Sequence, residues 1–353
     1  MQVVITGGAG FVGVLLARAL LAKGGLSLAG APTQPITELV LVDRAEPPAD
    51  LRADSRVKSL TGDLYAQLTG RSAHVSHDPG RGPLPPTIIG PHTAAVFHLA
   101  AAVSGECEAD FDLGMRSNYL TTHALLEACR AAGHRPLVFF ASSIAVFGHT
   151  AVLPMPDLLS DTTLPNPQTS YGAQKAVGEL LMADYGRKGF IRPRTARLAT
   201  VSVRAGRPNG AASGFFSGMI REPLAGIASN VPVAPETCHP LSSPGCTVRG
   251  IIRCVEASDA DWGSLTAINL PGLSISVGAM AQALRNIAGE DAWNLLTWNR
   301  DPKIESIVAA WPRALASPRA HALGLHPNGS FEEIVQEYVR ENPDAVRIAL
   351  RPQ

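Results

Sequence analysis

Cysteine is sparse in this chain, with 5 in 353 residues, and none of them forms a CxxC pair. That excludes a close-paired zinc or thioredoxin-type motif, and the odd number argues for reduced thiols rather than a disulfide framework. Cys238, Cys246 and Cys254 are evenly spaced near His239. Without a short ligand pair they read as small packing residues, and no metal is expected. Neither sign of charge is in excess: 30 basic side chains balance 30 acidic ones. No global field recruits nucleic acid or an anionic membrane, so a charged partner must be gripped locally. No run approaches the roughly 20 apolar residues that a bilayer crossing needs. Met1 to Thr6 lacks the basic and apolar regions of a signal peptide. A soluble, cytoplasmic protein is expected.

What the chain has is apolar material in alternating blocks, at 46% hydrophobic residues. Strand-like runs at Val3 to Thr6, Leu39 to Asp43, Val96 to Ala101 and Leu137 to Ala141 alternate with helical patterns at Phe11 to Lys23 and Met115 to Ala132. The runs are apolar throughout, as in strands buried on both faces. The expected fold is therefore α/β, a Rossmann-like doubly wound parallel sheet with a small C-terminal substrate lobe. Residues 1–203 are read as the dinucleotide-binding domain. Residues 204–353 are read mostly as a substrate lobe, with segments returning to the sheet. Gly24 to Thr37 and Gly70 to Pro91 are rich in Gly, Pro and Ser and read as surface loops. Five prolines between Pro223 and Pro244 predict a loop-rich stretch, followed by helices over Val277 to Ala288 and Phe331 to Glu341.

Gly7, Gly10 and Gly13 stand directly after a strand and before a helix. The first permits a tight turn, the second lets backbone approach a pyrophosphate, and the third lets helix and strand touch. Phe11, Val12 and Gly13 open the helix whose free amides would face the phosphates. Asp43 ends the next strand, where a carboxylate accepts from a ribose diol and repels a 2′-phosphate, favouring NAD. Asp63 and Leu64, after a further short strand, are placed to meet the adenine ring.

Tyr171 and Lys175 lie one helical turn apart on one face. A nearby ammonium and a positive nicotinamide ring would lower the phenol's pKa, letting Tyr171 take a substrate hydroxyl proton as hydride leaves. Ser143 closes the strand Leu137 to Ala141 at its C-terminal edge and can hydrogen-bond the reacting oxygen, with Ser142 the structural member of the pair. Asn118 is a candidate to orient Lys175 through backbone or water.

Together with His98-Leu99-Ala100-Ala101 and the segment from Ser142 to Gly148, these residues resemble the extended short-chain dehydrogenase/reductase family over nearly the whole chain. Lys175 would also hold the nicotinamide ribose, and the resemblance implies that Leu99, Ala100, Ala101 and Leu198, with Tyr171, join the NAD site. Ile144 and Ala145 replace the acidic pair typical of nucleotide-sugar dehydratases, and Arg197-Leu198-Ala199-Thr200 lacks the asparagine typical of nucleotide-sugar epimerases. Val203 to Asn209 and Ala211 to Ser217 with Arg221 to Leu224 are similar to a branch that oxidises the C2 hydroxyl of a four-carbon sugar acid. A fixed guanidinium suits its carboxylate, which makes Arg207 and Arg221 candidates, with Ser104, Thr200, Ser213 and Ser217 offering hydroxyls. An NAD-dependent sugar epimerase and a non-enzymatic NAD-binding sensor or scaffold are the alternatives. The helices Met115 to Ala132 and Tyr171 to Arg187 are candidates to pair two copies as a homodimer. Trp293, Trp298 and Trp311 are expected to pack rather than to cover the site.

Overall fold

The computed structural model describes residues 1–70, 88–206 and 212–351. Two compact units emerge: Met1–Ser143 with Thr169–Arg197 and Val248–Ile268, and Ile144–Gln168 with Leu198–Thr247 and Asn269–Gln353. We number the strands of the central sheet β1 (Gln2–Thr6), β2 (Glu38–Asp43), β3 (Val57–Thr61), β4 (Thr93–His98), β5 (Leu137–Ser143), β6 (Arg192–Leu198) and β7 (Ile268–Asn269). The sheet is 7-stranded with the order β7-β6-β5-β4-β1-β2-β3. The pairs β1 with β2, β1 with β4, β2 with β3 and β4 with β5 are parallel, with one register shift between Gln2 and Val3 where β1 meets β4.

The Rossmann-like fold expected from the alternating runs is therefore present. Val3, Val4 and Ile5 of β1 are all 0% exposed, so both faces of the strand are covered. Burying each such side chain contributes about 1.5–3 kcal/mol. On one face Val4, Val40, Val96, Val138 and Phe140 meet Leu125, Leu126 and Met182. Those last three come from two helices, Thr121–Ala132 and Ser170–Arg187. Since the paired strands are parallel, their C-terminal ends share one edge, and the turns that leave that edge carry the candidate site.

In the second unit Cys238–Ser242 pairs antiparallel with Leu273–Ser276 and parallel with Thr200–Val201. Helices Gly214–Leu224, Val277–Trp293 and Phe331–Glu341 pack a core around Phe216, Leu241, Met280, Leu284 and Phe331. Trp293, Trp298 and Trp311 are half-buried against that core, as expected.

Two expectations change. Gly24 to Thr37 is not simply a surface loop: Gly25–Leu26 pairs antiparallel with Gln34–Pro35, while Leu26 is 0% and Ile36 2% exposed. Isolated apolar residues inside a Gly- and Pro-rich segment give no periodicity, so the anchor is invisible to pattern reading. The proline-punctuated stretch ends in the helix Pro244–Glu256. Proline at a first helical position forfeits no intrahelical bond, so Pro244 starts this helix rather than breaking it. Most of the segment read as a loop at Gly70 to Pro91 lies outside the described residues. Among those residues no helix is long and apolar enough to cross a membrane.

Candidate active site

At the end of β1 the Gly7 amide donates to the Val42 carbonyl at 2.8 Å, and Gly7 adopts φ +74. A Cβ at Gly13 would stand 2.0 Å from the Gly7 carbonyl oxygen, so turn and helix touch only because no side chain intervenes. Gly10 caps the 13-residue helix Phe11–Lys23 with no side-chain hydrogen bond. The first amides of that helix thus have no intrahelical partner, a helix start suited to a pyrophosphate. Asp43 accepts from the Ala9 amide at 3.0 Å and the Ala45 amide at 3.2 Å. A carboxylate has about four lone-pair sites, which leaves it capacity for a ribose diol. These residues fit an NAD adenosine half.

Asp63 is engaged differently. It caps Leu64–Thr69 by accepting from the Ala66 amide at 2.9 Å, and it pairs with Arg44 at 3.2 Å. Leu64 is 8% exposed and packs into the core. Leu99 and Ala100 follow β4, with their amides donating to the Thr6 carbonyl at 3.1 Å and the Thr6 hydroxyl at 3.4 Å. Ala101 is exposed beside them and Ser104 is half-buried at the start of Ser104–Ala109.

Tyr171 occupies the first turn of Ser170–Arg187, whose start is fixed by Thr169 accepting from the Gly172 amide at 3.0 Å and by Glu108 accepting from the Ser170 amide at 2.7 Å. Lys175, 3% exposed, donates through Nζ to the Ala141 carbonyl at 2.7 Å and lies 5.7 Å from the Tyr171 ring centre. Burial pulls the Lys175 ammonium down to about 8. Burial also pushes the Tyr171 phenol up to about 12, against a hydrogen bond from Ser143 that favours the phenolate. In the protein by itself desolvation therefore outweighs the Ser143 hydrogen bond. Ser143, Tyr171 and Lys175 are brought together, and Asn118 is near them but joined to another partner.

That partner is Gln174. The Asn118 amide donates to its Oε1 at 2.8 Å and to the Ala102 carbonyl at 3.1 Å, and Asn118 Oδ1 accepts from the Ala102 amide at 2.8 Å. Asn118 lies in a π-helical turn, Met115–Leu120, a local widening common at functional sites. Asn118 therefore ties the loop after β4 to the tyrosine-bearing helix rather than bonding Lys175 directly. Sequence reading missed Gln174, although it sits between the two motif residues. It missed the buried cluster under Ser143 as well: Ser142 donates to Glu179 at 2.6 Å, and Glu179 accepts from Arg197 at 2.9 and 2.8 Å. His98 is buried at the end of β4. Its ring bridges Thr6 at 2.7 Å and Thr122 at 2.9 Å, and burial drives its pKa to about 3, so it is neutral.

The low Lys175 value carries a stability consequence. Between about pH 8 and 10.5 the unfolded chain binds a proton that folded Lys175 does not, so this group's penalty is full below about 8 and fades as pH rises. Relative to the native chain, Lys175→Met should gain stability at pH 7, by at most ~3 kcal/mol, and lose that advantage toward pH 10.5. Urea unfolding of both proteins across this range checks it; a pH-independent difference would sink the assignment.

In the second unit Thr200 is half-buried and its hydroxyl meets His239 Nε2 at 2.7 Å, while His239 Nδ1 donates to the Pro312 carbonyl at 3.1 Å. Leu198 is half-buried at the end of β6, and Ser213 is half-buried where Gly214–Leu224 begins. Ser217 is 1% exposed and accepts from the Arg204 amide at 3.0 Å, so it offers no hydroxyl to a polyol. Arg221 donates to the Arg204 carbonyl at 2.7 Å and pairs with Glu222 at 2.5 Å, which commits it within the fold. Arg207 lies outside the described residues.

A glycine-turned helix start beside a strand-end carboxylate, and a Ser-Tyr-Lys set at the same sheet edge, define a dinucleotide-dependent oxidoreductase class. The chain belongs to the NAD-dependent epimerase/dehydratase family, whose model matches residues 88–235. It is 47% identical to D-erythronate dehydrogenase of Cupriavidus necator, across 97% of this chain and 98% of that protein. Identity to D-erythronate dehydrogenase of Haemophilus influenzae is 37%, across 96% and 99%. The solved structure of a nucleoside-diphosphate-sugar epimerase from Agrobacterium tumefaciens superposes with TM-score 0.85 at 36% identity, covering 98% of this chain and 95% of that one.

Proposed function

We propose that this protein is an NAD-dependent D-erythronate dehydrogenase that oxidises the C2 hydroxyl of the four-carbon acid to the 2-oxo acid. The observation that carries the chemistry is the Ser143, Tyr171 and Lys175 arrangement at the sheet edge, and the relatives named above carry the substrate. Bound NAD supplies the acceptor for the hydride leaving C2. Tyr171 takes the hydroxyl proton, Ser143 donates to the oxygen as it becomes a carbonyl, and Lys175, held by the Ala141 carbonyl, presents a cation beside the phenol. The atoms balance as hydroxy acid plus NAD giving oxo acid, NADH and a proton. The first unit serves as the cofactor-binding part, with Asp43 selecting NAD.

The protein is further proposed to be cytoplasmic, and its five cysteines are unbridged. Val177 and Leu180, 40% and 71% exposed on the tyrosine-bearing helix, are the apolar positions through which two copies would pair as a homodimer.

The test is NADH absorbance with D-erythronate, L-threonate and a panel of sugar acids. NADH formed from a four-carbon acid supports the reading; NAD binding with no NADH from any acid overturns it. A second reading, a sugar epimerase that returns the hydride, is favoured by the name of the Agrobacterium relative. Conversion of a nucleotide sugar without net NADH would identify it.

A further inference from the structure

We propose that His98, held as its Nε2–H tautomer, is a positioning residue that ties the glycine turn after β1 to the helical turn bearing Asn118; its effect on turnover rests on the dehydrogenase reading above. Thr6 and His98 are the last residues of β1 and β4 and stand opposite each other in the pairing of these two strands. The Thr6 hydroxyl lies 2.7 Å from His98 Nδ1, and the Thr122 hydroxyl lies 2.9 Å from His98 Nε2. Thr6 immediately precedes Gly7, and a Cβ at Gly7 would stand 2.8 Å from the Ala100 nitrogen. The glycine turn thus rests on the segment after β4, where the Ala100 amide donates to the Thr6 hydroxyl oxygen at 3.4 Å.

Each proton in this chain of bonds has one place. The Asn118 carbonyl can only accept, so the single hydroxyl proton of Thr122 is given to it at 2.6 Å. What Thr122 offers His98 is therefore a lone pair, and Nε2 must carry the hydrogen. The ring is neutral, because burial and then the Lys175 charge hold its pKa at about 3. A neutral imidazole with Nε2–H has a bare Nδ1, so the Thr6 hydroxyl donates to it and keeps its own lone pairs for the Ala100 amide. The other tautomer would set Nε2 and the Thr122 oxygen lone pair to lone pair. At the far end the Asn118 side chain bonds both backbone groups of Ala102 and the Gln174 Oε1, next to Lys175. The His98 ring also lies 5.7 Å from the Phe140 ring, over which Lys175 Nζ sits at 4.9 Å. His98 is 1% exposed, so it acts through these partners rather than by touching a bound molecule.

Long-range ¹H–¹⁵N correlation of the imidazole nitrogens in the full-length protein tests the tautomer without turnover. The signal that His98→Gln lacks should be a neutral Nε2–H ring, unchanged between about pH 5 and 8. An Nδ1–H or a charged ring overturns the proposal. Substitution then separates the two ends. Glutamine places its amide nitrogen where Nε2 stood and keeps the donor to Thr122, whereas asparagine places its oxygen where Nδ1 stood and keeps the acceptor for Thr6. His98→Gln should raise KM for NAD about tenfold with kcat near the native value, while His98→Asn should lower kcat about tenfold and change KM for NAD less than about threefold, each on the scale of one buried hydrogen bond. Thr122→Val should reproduce the kcat loss, and Thr122→Ser should retain native values. The same kinetic change in both His98 variants, or none in either, marks a ring that only packs and overturns the proposal. Should a His98 variant fail to fold, the shift caused by Thr122→Val assigns the signal and the two Thr122 variants carry the kinetics. If the native chain forms no NADH from any sugar acid, the dehydrogenase reading fails, while the tautomer and the NADH affinities of the His98 variants still decide the role of His98.

Discussion

Replacing Tyr171 with phenylalanine is expected to lower kcat/KM for D-erythronate by about 10²- to 10⁴-fold while changing NADH affinity far less. The substitution removes one oxygen and keeps the ring whose centre lies 5.7 Å from the Lys175 ammonium, so the packing of that helix turn survives. What is lost is the acceptor for the substrate's hydroxyl proton and the partner of the Ser143 hydroxyl. Without it, hydride leaves C2 only as a high-energy protonated carbonyl forms. Because burial sets the phenol at about 12, little phenolate exists at neutral pH in the protein by itself. Oxidation by the native enzyme should therefore accelerate as pH rises above neutral, and this acceleration should disappear in Tyr171→Phe. Steady-state rates from pH 6 to 10 with both proteins, beside a fluorescence titration of NADH, make the comparison. A phenylalanine variant that retains most of the activity would falsify the proton-acceptor role.

The sequence showed the parts of the fold that follow a period. Strands apolar on both faces and the glycine spacing from Gly7 to Gly13 are local patterns, and each lies where expected. The Tyr171 and Lys175 pairing was legible for the same reason, since a helical turn fixes it. What stayed hidden depends on distant contacts. Thr200 and His239 are 39 residues apart, and nothing in either local pattern marks the bond between them. Arg221 looks like a free fork in the sequence although Glu222 stands next to it, and its second partner, the Arg204 carbonyl, is a backbone group that no residue type advertises. The π-helical turn at Asn118 was equally invisible, because a one-residue widening leaves the apolar pattern of a helix almost intact. Tyr171 lies beside Ser143 and Lys175, while the desolvation that raises its pKa in the protein by itself is a property of the packed chain and not of the motif.

Glu179→Ala should destabilise the first unit by about 3–5 kcal/mol, the typical cost of removing one partner from a buried ion pair. The carboxylate side chain is 8% exposed and the Arg197 side chain 5%, with two hydrogen bonds between them at 2.9 and 2.8 Å. Alanine takes away the counter-charge of Arg197 and the acceptor of the Ser142 hydroxyl in one step, and little water reaches either group. The loss reaches the chemistry because Ser142 is the residue before Ser143 on β5, and Glu179 lies one turn beyond Lys175 on the same helix, Ser170–Arg187. Activity should accordingly fall beyond what the unfolded fraction explains. The energy belongs to breaking the pair, not to the pair as such, so Glu179→Leu combined with Arg197→Met should regain most of the stability. Denaturant unfolding of the single and double variants separates the two. If Glu179→Ala unfolds within about 1 kcal/mol of the native chain, the ion pair is not the support that holds this strand end against the catalytic helix.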